Sequence, residues 1–186
     1  MGKLLKKMAV GLTMIGSLSA CQSVKVIQVQ NIKESESTQN NAHIYCAGTE
    51  SCQFERLDQM FIMKEHDELE REAVKAGIVR IQGKSLKEPN AVYLSVAPVQ
   101  HEVVVRFYPI SPDKAERLHV IHAFKPKTAY TLTMFRDRTK HKTSLLDASA
   151  PDPLCVDLKM EQKTIRRFCK PYNVLTGLGE FVEKKL

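Results

Sequence analysis

The 186-residue chain has no tryptophan, and aromatic residues make up only 6% of it. No aromatic cluster therefore marks a small-molecule pocket, and a partner protein is the expected ligand class. No apolar run reaches the roughly 20 residues that a bilayer-spanning helix needs, so a multi-span membrane protein is excluded. Gly-x-Ser-x-Gly, Walker A, His-Glu-x-x-His and Gly-x-Gly-x-x-Gly are all missing. Gly177 and Gly179 form a Gly-x-Gly, but it follows no strand–helix crossover. The sequence thus nominates no catalytic residue and no cofactor, and the expectation is a protein that is not an enzyme. Cys-x-x-Cys and paired histidines at finger spacing are also missing, which argues against a metal site.

Other classes fall on what is present. With 43% hydrophobic and 26% charged residues, the chain is neither wholly disordered nor collagen-like. A formal charge of +7 invites a nucleic-acid reading. That reading weakens once the N-terminus is parsed. Lys3, Lys6 and Lys7 precede an apolar stretch, Met8–Leu18, and then small residues. This is the pattern of a secretory signal. Residues 1–20 carry three lysines and no acid, so without them the charge falls from +7 to +4. That excess is too small to argue for nucleic acid.

The five cysteines look odd in number for an exported protein. One is accounted for by Leu18-Ser19-Ala20-Cys21, which resembles the bacterial lipobox. The resemblance implies cleavage before Cys21, acylation of its thiol and new amine by fatty acids such as palmitate, and a lasting membrane anchor. Gln22, in place of the aspartate of inner-membrane retention, implies outer-membrane sorting, with the body in the periplasm or at the cell surface.

Four cysteines remain, and in an oxidising compartment they are expected as two disulfides. Leu154–Met160 and Thr164–Lys170 read as a hairpin turning at Glu161–Lys163. Pairing about Gln162 sets Cys155 opposite Cys169, within disulfide reach. The same construction about Thr49 sets Cys46 opposite Cys52. A redox pair is the alternative reading.

Three segments are expected: a signal peptide over 1–20, a lipidated N-terminus and tether over 21–42, and one disulfide-stapled β-rich domain over 43–186. A flexible tether of this length spans about 25 Å. In the domain, Cys52–Met63 reads as one strand. Asp67–Ala76 reads as a short helix capped by Gly77, and Ile78–Gln82 as a strand. Ala91–Val96, Glu102–Tyr108, the run around Leu118–Phe124, and Ala129–Phe135 alternate as half-buried strands. The tail places Val174, Leu178, Phe181 and Val182 at helical spacing. The fold class is mainly β: an antiparallel sandwich with a short helix and a C-terminal helix. Pro98–Val105 followed by Tyr130-Thr131-Leu132 resembles the transthyretin-like or PEGA-like sandwich repeats of bacterial surface proteins. That resemblance implies a fold only.

Six histidines are scattered: His43, His66, His101, His119, His122 and His141. His119 and His122 fall on opposite faces of a strand, and His122 reads as a sheet histidine. His101 and Glu102 open a strand as a turn pair. A hydrolase would need His101, His119 or His122 to meet an acid or a serine in a cleft. The basic run contributes Arg136, Arg138, Lys140 and Lys142 as candidate contacts to an anionic partner, which would make the chain an anion-binding or inhibitory module. The main expectation is a membrane-anchored envelope lipoprotein that binds or scaffolds another envelope component without catalysis.

Overall fold

The computed structural model describes residues 29, 32, 35–64, 68–82, 86, 88–138, 151–171 and 179–186. The signal segment, Cys21, Lys140, Lys142 and residues 172–178 of the expected C-terminal helix lie outside the described residues. Among the described residues no helix is long and apolar enough to cross a membrane.

The protein is mainly β. Its strands are β1 (Ala42–Ala47), β2 (Cys52–Leu57), β3 (Met60–Phe61), β4 (Val79–Ile81), β5 (Val92–Val96), β6 (Gln100–Phe107), β7 (Glu116–Ala123), β8 (Ala129–Arg136), β9 (Leu154–Met160), β10 (Lys163–Lys170) and β11 (Val182–Lys184). A short helix, α1 (Arg71–Lys75), precedes β4. The strands form a seven-stranded sheet, β11-β10-β9-β8-β1-β5-β4, and a four-stranded sheet, β3-β2-β6-β7.

Alternation decides which faces meet. In β8, Tyr130, Leu132 and Met134 are buried while Ala129, Thr131 and Thr133 are half-buried. In the small sheet, Phe54, Val103, Val105, Phe107, Leu118 and Val120 are buried. Both sets belong to one apolar cluster, joined by Ala73 and Val74 of α1 and by Val29. Burying that shared surface is the main force holding the sheets together.

The helix ends as its sequence demands. Gly77 takes φ +69, its N–H reaches the Val74 carbonyl, and the Ile78 N–H reaches that of Ala73. These two bonds form a Schellman stop, which needs the left-handed conformation that glycine adopts freely.

Four expectations need correction. Cys52–Met63 is not one strand. It folds back after Leu57 into β3, with Asp58 at φ +50 in the turn. The tail residues Val182–Lys184 are a strand paired to β10, not helix, and Arg166 grips Glu183 through two 2.7 Å bonds. The strands are not all antiparallel, because β1 runs parallel to β8. Finally, Cys46 and Cys52 do bond, but not across a hairpin. They stand on β1 and β2, in different sheets, so their bridge ties the two sheets together.

The second bridge matches its derivation. Cys155 and Cys169 are direct partners in the β9–β10 ladder, with Cα atoms 4.0 Å apart. The turn uses two residues rather than three, and a bulge at Ile165 restores the register. All four bonded cysteines are buried, at most 6% exposed. Burial shields them from attacking thiolates, which weighs against the redox alternative.

Candidate functional site

Among the described residues, chemistry-bearing side chains gather at two cavities and on one charged sheet face. The first cavity, about 480 Å³, lies beside the β2–β3 turn. It is lined by Asp58, His101, Asn41, Ser95, Leu57 and Ile78, among others. The unusual φ of Asp58 turns its side chain toward the start of β6. One carboxylate oxygen accepts the Glu102 N–H at 2.9 Å, and the other lies 2.7 Å from His101 Nδ1. His101 Nε2 is 3.1 Å from the Ala97 carbonyl. Both ring nitrogens therefore already face acceptors. Burial works to raise the Asp58 pKa, but the bonds from His101 and Glu102, with the charges of His101 and Arg56, outweigh it. Its carboxyl stays below the usual range.

The outer face of the small sheet carries the charges. Glu102 pairs with His119 at 3.0 Å and with Arg56 at 3.0 Å. The His119 bond is the main reason its carboxyl is held low; burial opposes this and Arg56 assists. Glu55 pairs with Arg117 at 2.8 Å and Arg106 at 3.5 Å. Val104, fully buried, lies in register between Arg56 and His119 on the flanking strands. This face is an internally matched lattice rather than an open patch.

His122 is separate from both groups. It stands edge-on to Phe124 and Tyr130, with centroids at 5.0 and 5.3 Å. Burial, then Arg166 and Lys125, push its pKa down. The structure thus joins His101 to Asp58 and His119 to Glu102, while His122 remains a sheet histidine.

The second cavity, about 490 Å³, contains a residue nominated by sequence. Arg136 lines it together with Thr49, Glu50, Ser51, Tyr108 and Ile110. Three elements build it: the turn after the Cys46–Cys52 bridge begins, the loop after β6, and the end of β8. Its floor is rigid. The Gly48 backbone lies so close to Met134 that an added Cβ would sit 2.0 Å from the Met134 oxygen. Asn90 accepts the Cys52 N–H at 2.8 Å and donates to the Thr49 carbonyl at 3.3 Å. Arg138 is exposed and does not line the cavity. Arg166 and Arg167 diverge, as neighbours in a strand must: Arg166 pairs with Glu183, and Arg167 with the buried Asp157 at 2.6 Å.

Sequence reasoning missed two groupings. Asp58 and His101 are 43 positions apart, with no local motif to join them. Tyr45 and Tyr93 stack at 4.9 Å, and His43 meets Tyr93 edge-on at 5.5 Å. Only β1–β5 pairing brings those rings together. The alternation in each strand was the one signal that could have placed them on a shared face.

Comparison with protein-family models, with curated proteins and with solved structures finds no match.

Proposed function

We propose that this protein is an envelope lipoprotein, anchored through acylated Cys21 and sorted to the outer membrane. In this reading its stapled body is a non-catalytic binding or scaffolding subunit for another envelope protein. Its two sheets are the layers of a transthyretin-like or PEGA-like β-sandwich. The observation that carries the non-catalytic part is the geometry of His101. Both ring nitrogens are engaged, by Asp58 and by the Ala97 carbonyl, so neither is aimed at a nucleophile. The buried disulfides support an oxidising compartment.

Crosslinking in cells followed by purification from solubilised membranes tests the reading. A stoichiometric envelope partner is expected; recovery of the lipoprotein alone in several gentle detergents overturns it. Cys21→Ala is expected to abolish acyl labelling, and label that persists contradicts the anchor.

One observation favours a second reading, a cell-wall- or lipid-acting hydrolase. Asp58 and His101 share a cavity with Ser37 and Ser95. Hydrolysis of peptidoglycan or phospholipid that disappears in His101→Ala, with the fold intact, would establish it.

A further inference from the structure

We infer that the cavity at Arg136 receives the C-terminus of a peptide, with Arg136 binding its terminal carboxylate. The inference deepens the binding-subunit reading and rests on it.

Three observations converge. First, among the described residues the Arg136 guanidinium has no carboxylate partner. The other arginines that reach across strands here all find carboxylates: Arg56, Arg106, Arg117, Arg166 and Arg167. Arg136 makes one bond, from Nη1 to the Asp152 carbonyl at 3.2 Å, and no ion pair among the described residues. A planar fork facing a cavity is the group best matched to a carboxylate.

Second, the cavity supplies what a short peptide needs besides charge. Leu154 and Ile110 give it apolar surface, and Ile110 stands 71% exposed. Thr49 and Glu50 also line it, and among the described residues their backbone N–H groups have no protein acceptor. Consecutive free N–H groups in a turn suit an anion or a peptide carbonyl.

Third, the site is built before any ligand arrives. The Cys46–Cys52 bridge, the Gly48–Met134 approach and the Asn90 bonds hold the turn in place. Preorganisation reduces the ordering that binding must impose.

The charge pattern chooses among anions. Glu50 lines the same cavity as Arg136. One cation and one anion lining the same cavity favour a ligand with a single negative charge over a dianion. A peptide carboxylate fits that pattern better than a phosphate-rich lipid headgroup. Arg138, two residues on and exposed, adds steering charge outside the cavity.

Fluorescence anisotropy on the full, detergent-solubilised lipoprotein tests this. The probes are a library of N-labelled tetrapeptides of small and apolar residues with free C-terminal carboxylates, and the same library amidated. The acids are expected to bind at least tenfold more tightly than the amides. Arg136→Ala should remove that preference, and Arg136→Lys should keep part of it. Arg138→Ala should change affinity less than threefold. Equal binding of acids and amides, or a preference that survives Arg136→Ala, overturns the inference. Arg136-dependent binding to phosphatidylglycerol vesicles with no acid preference reassigns the guanidinium to lipid and equally overturns it. Disulfide mapping and circular dichroism of each variant show that the fold is kept. If the crosslinked partner persists in Arg136→Ala while the peptides show no preference, only the cavity assignment fails. Loss of the partner from the unaltered protein would instead remove the binding-subunit reading.

Discussion

The two disulfides look alike in sequence, as short local pairs, yet they lie in different mechanical settings. Cys155–Cys169 joins residues that the β9–β10 ladder already holds opposite each other. Cys46–Cys52 joins strands of different sheets, with Cα atoms 6.1 Å apart and no ladder between them. One bridge reinforces a pairing, and the other substitutes for one. Around the inter-sheet bridge cluster the unusual features: Gly48 at φ +94, Asn90 at φ +56 and the cavity at Arg136. Around the ladder bridge the support is ordinary hairpin pairing plus the Arg167–Asp157 fork.

The sharpest way to break the contrast is at Gly48. Gly48→Val places a branched side chain into the Met134 backbone at a left-handed position. A loss of about 3 kcal/mol or more in denaturant-measured stability is expected. A loss under about 1 kcal/mol would mean that the inter-sheet end is soft.

Removing each disulfide as a double alanine variant comes next. The chain-entropy model gives about 3 kcal/mol for the bridge of separation 14 and about 2.4 for that of separation 6. Local amide exchange should follow the opposite order. Without Cys46–Cys52, protection should fall in both sheets at β1 and β2. Without Cys155–Cys169 it should fall only near the open end of the β9–β10 hairpin. Equal, local losses in both variants would erase the distinction drawn above.

Asn90→Gly keeps the backbone conformation but leaves the Cys52 N–H without its acceptor. About 1–2 kcal/mol is expected from denaturant titration, with Asn90→Ala worse by the added left-handed strain.

The smallest effect concerns pH at the ladder end. The Arg166 hydrogen bond, against weaker opposition from burial and aided by its charge, holds Glu183 below its ordinary pKa. A depressed carboxylate contributes fully at neutral pH and loses that contribution as pH falls through its folded value. Protection of the β11 amides, measured against the intrinsic exchange rate at each pH, should therefore fall in acid below the usual carboxylate range, and salt should reduce the change. An unchanged β11 would show that ladder bonds alone hold it.

Legibility followed the range of the interaction. The β9–β10 hairpin could be read because two alternating runs and a short turn set their own register, cysteines included. The face of Tyr130, Leu132 and Met134 could be read because strand period alone assigns it. The C-terminal helix expectation relied on four apolar positions weakened by two glycines. Over Val182–Lys184, the edge of β10 and the Arg166–Glu183 pair outcompete it. The positive charge of Arg136 could be read, but the cavity around it could not, because elements far apart in the chain build it. The Asp58–His101 pair left no trace in sequence, since its spacing belongs to β2–β6 register rather than to any motif.

By itself, the sequence determined the strand-rich character, the two cysteine pairings and the alternation of faces. Each depends on interactions within a few residues or on strand period. The tertiary structure alone decided that one disulfide spans two sheets, that β1 runs parallel to β8, and that Arg136 lines a cavity with no carboxylate paired to it among the described residues. Those outcomes depend on which strands share a sheet, and the burial of one common apolar core makes that choice among segments far apart in the chain.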